Sequence, residues 1–425
     1  MKLENGNARI LKGFHNLALC SVFAMWAALT FSPALVEISF VTALIGWVLW
    51  KIPQKFQISP IPKIIWIPLA GFLIWTLLAW AASEYPAKSF RGITKILQQV
   101  LIFVMAADLL KSRQDLRRFE KFFLFVAWVI FTDGIFQYCF GRDFIRGHWS
   151  EHSTAGFRIA ASFGTYGKFA SYLIGTIPYL GVLAFYFRNA MKDSKRCYLT
   201  LLVFGGYLLL LFCTRSRGAL LAFGAALFFM LLLKRKFLWL LIFVVGIIGV
   251  APLVPRNVVI HLDAELKEQS LVERYYLWQR AIHVIRAKPI LGTGVNTYAV
   301  AHQKYDQTQN WRVRNYYAHN GYLQLAAETG LPGLFFFLMF LGGYFLYSFR
   351  SFEEAAWNCR LRTGLLTGLI SFLVFSSVDT VLHNPQPVMT FWFLMGLQLA
   401  YRHSEKEKNY GFGSAFLPER KNQLE

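Results

Sequence analysis

Long apolar runs recur along most of the chain, and each approaches the roughly 20 residues that a helix needs to cross the hydrocarbon core of a bilayer. They lie near 15–31, 34–50, 63–82, 93–110, 119–138, 165–187, 198–213, 218–233, 237–253, 331–349, 363–379 and 386–402. Only a helix or a closed barrel satisfies its own backbone N–H and C=O groups in lipid. Runs of this length therefore predict an all-α polytopic membrane protein with about 12 transmembrane helices. The composition agrees, because 56% of the 425 residues are hydrophobic and only 16% charged. The N-terminal run follows Lys2, Arg9 and Lys12 as in a signal peptide, but Phe31, Ser32 and Pro33 lead into another span, so an uncleaved first helix is expected.

The net charge of +21 does not point to nucleic acid. Its Lys and Arg form short clusters between apolar runs, which is how charges that set topology are distributed. Lys51/Lys55/Lys63, Lys111 to Lys121, Arg188 to Arg196, Lys234 to Lys236, Arg350 to Arg362 and Arg402 to Lys408 fall on the side of the N-terminus. The positive-inside rule then makes both termini cytoplasmic. Five scattered cysteines lack disulfide or metal spacing and read as small buried hydrophobes. The expected organisation is helices 1–9 over 1–253, an outward helical loop over 254–330, helices 10–12 over 331–403 and a polar tail over 404–425. Outward turns are expected at 32–33 and 380–385, with medium loops at 83–92 and 139–164.

Basic residues on the outward side run against this charge rule and need another reason. They include Lys88, Arg91, Arg142, Arg146, Arg158, Arg215, Arg217, Arg274 and Arg280. Arg215 and Arg217 share one tight turn, Thr214 to Gly218, between helices without other charge. Charge beside a bilayer is costly unless it is paired or snorkels, and a guanidinium forks onto phosphate. Lipid headgroups or a lipid diphosphate would both satisfy them, and two Arg in one turn favour the diphosphate. His319 and Asn320 lie ahead of a helical stretch that ends at Gly330-Leu331-Pro332-Gly333, a break that should hold His319 near the membrane surface. An imidazole there serves as a cap or as a proton acceptor. Pro289 to Asn296 superficially resembles a phosphate loop but lacks the Lys-Ser/Thr and the βαβ setting, so it reads as a packing turn. Asp263 and Glu265 read as an ordinary helix face and not as a metal site.

These residues resemble the O-antigen ligase and polymerase superfamily, whose signature is His followed by Asn, Ser or Gln, nine residues, Gly, and a second Gly three on. His319-Asn320, Gly330 and Gly333 fit it, and Ser216 to Ala219, Arg274 with Trp278, and Pro289 to Gly294 follow in family order. The resemblance implies a cofactor-free, metal-independent, inverting glycosyltransferase of the broad GT-C type. Its donor would be an undecaprenyl-diphosphate-linked glycan, and in ligases the acceptor is the lipid A-core oligosaccharide. His319, Arg217 and Arg274 would be catalytic, and Arg215, Arg217, Arg274, Arg158, Arg91 and Asn320 would bind the diphosphate. A polymerase and a protein O-oligosaccharyltransferase share these motifs. From another class, a twelve-span transporter fits the helix count, with Asp133 as the clearest acid inside a span.

Overall fold

The structure is a computed structural model that describes residues 2–153, 156–189, 191–236, 238–239, 264–305, 317–350 and 357–413. Those residues form thirteen α-helices: α1 (Lys2–Ala28), α2 (Pro33–Lys51), α3 (Lys63–Ala81), α4 (Pro86–Leu109), α5 (Arg113–Phe140), α6 (Tyr166–Asn189), α7 (Ser194–Cys213), α8 (Arg217–Leu233), α9 (Ala264–Ala287), α10 (Tyr298–Tyr305), α11 (Gly321–Phe349), α12 (Trp357–Ser376) and α13 (Pro385–Gly413). Among the described residues, nine helices are long and apolar enough to cross a membrane. The run at 218–233 forms a shorter apolar helix, and that at 386–402 lies within α13. The run expected at 237–253 falls almost wholly outside the described residues, as does Asp263. The chain is thus a multi-pass helical membrane protein.

Two expectations are corrected locally. The connection after α5 carries a small antiparallel hairpin, β1 (Glu151–Ser153) with β2 (Gly156–Arg158). Its three-residue strands are too short to show as a run of alternating residues. The loop expected at 83–92 is shorter, because Pro86 starts α4 with its φ already set for a helix; Arg91 is therefore helical.

Most packing joins helices far apart in sequence: α3 lies on α11, α4 on α13, and α12 on both α6 and α8. Trp26, Phe103, Phe119, Phe123, Tyr172, Trp392 and Phe393 interlock at the centre. Gly368 lets α12 meet the backbone of α6, since a Cβ there would overlap the Gly175 carbonyl. Cys197 and Cys359 are buried as expected, whereas Cys20 and Cys139 are exposed on the bundle's periphery.

The end that carries the basic clusters is closed by ion pairs, one of them fully buried. Lys51 lies 2.7 Å from Asp108 with both side chains fully buried, and Trp47 and the Ser59 N–H and hydroxyl also donate to Asp108. Arg362 pairs with Glu405 at 2.6 Å and donates to the Ser348 carbonyl. At the opposite end the connections are held mainly by hydrogen bonds. Ser162 donates to the Thr30 carbonyl, Ser83 to that of Thr293, and Gln386 to that of Leu29. Asp133 in α5 accepts N–H bonds from Phe144, Ile145 and Ser162, and Gln137 one turn on accepts from Ala160 and Ala161. The acid inside the span thus docks the hairpin segment.

The motif glycines have a physical role here. α11 breaks at Gly330 (φ 74, ψ 174), a backbone region open essentially to glycine alone. The break turns the Leu331 N–H away, Pro332 has no N–H to give, and the carbonyls thus left over are taken up by the 289–294 turn. Thr293 N–H donates to the Ala327 carbonyl and Gly294 N–H to that of Glu328, while Leu331 N–H turns to Pro289. Trp75 of α3 caps Thr329 at 2.9 Å. The Glu328 side chain accepts from the N–H groups of Asn296 and Tyr298. Pro289 to Asn296 is the packing turn its sequence suggested. Gly330→Ala would force a Cβ into the Ile290 carbonyl and into unfavourable φ, at a cost of at least about 1–2 kcal/mol. A clearly lowered melting temperature in detergent is expected, and an unchanged one would contradict the role assigned to the break.

Candidate active site

The site is built where the start of α11 meets the end of α12. Asn320 caps α11, its Oδ1 accepting from the N–H groups of Tyr322 and Leu323 at 3.0 Å each. Its carboxamide oxygen is therefore committed to the backbone, so the substrate contact expected of Asn320 falls to its remaining donors. His319, just before the cap, is held at φ +47, where most side chains are disfavoured. The Gly321 N–H donates to the Asp379 carbonyl at 3.2 Å, and His319 Nδ1 lies 3.5 Å from Asp379 Oδ1. Both side chains remain partly exposed. Asp379 had no sequence signal: it is 60 positions from His319, inside an unremarkable Ser-Ser-Val-Asp-Thr stretch.

Two expected arginines lie on helices that border this junction. Trp278 of α9 directs its indole N–H at the His319 carbonyl, 3.5 Å away. Arg274 stands one helical turn before Trp278 and so shares its face. Arg217 is the first residue of α8, whose N-terminus is capped by Ser216. The next residue, Gly218, packs on Val378 and Phe375, immediately before Asp379. That contact brings the Arg217 end of α8 against the end of α12. A helix N-terminus also carries partial positive charge suited to an anion.

Arg158 approaches from the hairpin. Its guanidinium lies 4.6 Å from the centre of the Tyr166 ring, and the following residue, Gly167, sits against the Asp379 carboxylate. Its strand partner is Glu151, whose carboxyl is pushed up by burial against the opposing pull of Arg158. Arg91 is separate. It is exposed on α4, beside Gly92, which touches Val295 and Asn296 at the packing turn. Arg215, at φ +52, lines a cleft with the ends of α5 and α7. Arg280, among the outward basic residues, is buried in α9.

The remaining loop is pinned electrostatically. Lys304 lies 2.8 Å and Lys288 3.4 Å from Glu84, and the Lys304 hydrogen bond is the main reason that the Glu84 carboxyl sits below its ordinary range. His383 stands 3.5 Å from the buried Glu328. These contacts position the 288–305 segment without entering the His319 junction.

Part of this region resembles known proteins. Residues 200–338 match the family model described as O-antigen ligase, a range that contains Arg215, Arg217, Arg274, His319, Gly330 and Gly333. The exopolysaccharide production protein ExoQ of Rhizobium meliloti (strain 1021) is 30% identical over 101 residues, which span 23% of this chain and 23% of that protein. The match thus covers under a quarter of the relative's length. On these residues the chain carries an O-antigen ligase family domain over 200–338.

Proposed function

We propose that the chain is a glycosyltransferase of the outward membrane face, moving a glycan from undecaprenyl diphosphate to a hydroxyl of the lipid A-core oligosaccharide. The observation that carries this reading is the His319–Asp379 pair, set at helix ends bordered by the elements that carry Arg217 and Arg274. In this reading the surface is periplasmic, the membrane is the bacterial inner membrane, and 254–330 forms the catalytic loop between the two helical sets.

The reaction needs few groups because a diphosphate is already a good leaving group. Arg217 and Arg274 hold it and offset the negative charge that grows as the glycosidic C–O bond breaks. They cannot act as bases, since guanidinium does not deprotonate in proteins. An imidazole that donates from Nδ1 to Asp379 keeps Nε2 as an acceptor. The acceptor oxygen attacks the anomeric carbon, its proton passes to His319 Nε2, and undecaprenyl diphosphate departs. One displacement inverts the anomeric centre. Arg158 adds positive potential beside the junction, while Arg91 stands apart from it. The transporter reading loses its leading acid, because Asp133 accepts backbone N–H groups. A polymerase, with a growing glycan as acceptor, is the second reading, favoured by the similarity to an exopolysaccharide production protein.

Single-turnover transfer and donor binding in nanodiscs test the division of labour. His319→Ala should slow turnover about 10²–10⁴-fold while retaining donor affinity. Arg217→Lys and Arg274→Lys should each lose about 10²–10³-fold, since a point charge replaces a fork aimed at the departing diphosphate. Wild-type turnover in His319→Ala would remove the histidine from the mechanism, and unaffected Arg variants would remove the clamp.

Cation dependence is a separate measurement. With two guanidinium groups neutralising the diphosphate, activity should survive EDTA. Complete loss restored by magnesium or manganese would contradict that role.

A further inference from the structure

A cavity of about 70 Å³ lies among α3, α4, α11, α13 and the turns at 295–296 and 382–383. It has room for about five waters, on the order of the bulk of one sugar ring. Among the described residues, none of its walls comes from α8, α9 or the hairpin, the elements that carry Arg217, Arg274 and Arg158. It adjoins the reacting junction all the same. Leu382, in its wall, packs on Gly321, two residues after His319, and the His383 N–H ties back to the Thr380 carbonyl beside Asp379.

The lining combines an unused acceptor with an apolar face. His383 Nε2 stands 3.5 Å from the buried Glu328, whereas Nδ1 is buried with no hydrogen-bond partner among the described residues. With Nε2–H turned to the carboxylate, Nδ1 is an acceptor, and a buried acceptor is costly to leave unpaired. Lys95 and Gln99 of α4 add donors, and Phe72 and Trp392 supply the apolar part. An acyl chain would bring no donor to Nδ1, and an anion would meet the Glu328 carboxylate. A sugar hydroxyl both donates and accepts, and the C–H face of the ring suits the aromatic wall.

We propose that this cavity holds one sugar ring of the acceptor glycan, with a hydroxyl donating to His383 Nδ1 and others accepting from Lys95 and Gln99. The proposal rests on the transferase reading and makes His383 a specificity residue for the acceptor. Inversion requires the acceptor hydroxyl to arrive from the side opposite the departing diphosphate. A seat built by α3, α4, α11 and α13, apart from the arginine-bearing elements, meets that requirement.

Transfer from an undecaprenyl-linked donor to lipid A-core by the full chain in nanodiscs tests the seat. His383→Leu, which removes the acceptor nitrogen, should raise KM for lipid A-core about tenfold and leave KM for the donor nearly unchanged. His383→Asn, whose carboxamide oxygen falls near the place of Nδ1, should recover most of that loss. Gln99→Phe, which fills the cavity from a partly exposed position, should also raise KM for lipid A-core and provides a second variant if His383→Leu fails to fold. Lipid-free core oligosaccharide should compete with lipid A-core, about tenfold less well in His383→Leu, and lipid A without its core should not compete. An unchanged acceptor KM in the folded variants, with wild type active, would leave a cavity for water only and overturn the seat while sparing the transferase. An equal rise in both KM values, or competition by core-free lipid A, would overturn it as well, as a packing defect or an acyl-chain site. Absence of wild-type transfer would sink the transferase reading together with the seat.

Discussion

The contact between the first turn of α11 and the end of α12 organises the helix ends around His319. The Gly321 N–H reaches the Asp379 carbonyl, Asn320 caps α11, and between them His319 is held at φ +47 beside the Asp379 carboxylate. A non-glycine residue at such an angle costs about 1–2 kcal/mol, which the cap and the bond between the two helices offset. Trp278 depends on the resulting direction of the His319 carbonyl, and α8 depends on Val378 for the packing of Gly218. The helices that carry Arg217 and Arg274 are therefore placed by contacts of their neighbours Gly218 and Trp278.

Other polar groups at this end are spent on structure. Asp133 and Gln137 absorb the N–H groups of a segment with little regular structure, and Glu328 does the same for the turn after α9. Irregular backbone near a bilayer is tolerated only where such partners exist. Buried carboxylates thus serve as acceptors at this end, while His319 and Asp379 remain partly exposed. The opposite end solves its charge problem by pairing, with Lys51 on Asp108 and Arg362 on Glu405. That separation of structural ion pairs from an arginine-rich rim suits a protein that handles a lipid-linked anion on one side.

Helical spans were legible because each apolar run carries its own signal, and the break at Gly330 because glycine and proline punctuate locally. Arg217, Arg274 and His319 are singled out by motif order alone, since a lone arginine or histidine is ambiguous. What stayed hidden depends on long-range pairing. Asp379 meets His319 across 60 positions, and the acceptor role of Asp133 requires knowing that 144–162 folds back onto α5. The adjacent Arg215 and Arg217 looked equivalent, yet the left-handed φ at Arg215 and the helix start at Arg217 send them to different surroundings. Cys139 illustrates another limit: lipid as solvent allows an apolar residue to be exposed, so hydrophobicity alone does not reveal burial.

The central claim is that Asp379 and His319 act as one unit on the acceptor proton, and a double-mutant cycle in single-turnover transfer addresses it most directly. Asp379→Asn should slow transfer strongly when His319 is present, while donor affinity is retained. Combined with His319→Ala, it should add little further loss, because the group it orients is already gone. Fully additive losses, or wild-type transfer in Asp379→Asn, would contradict the account.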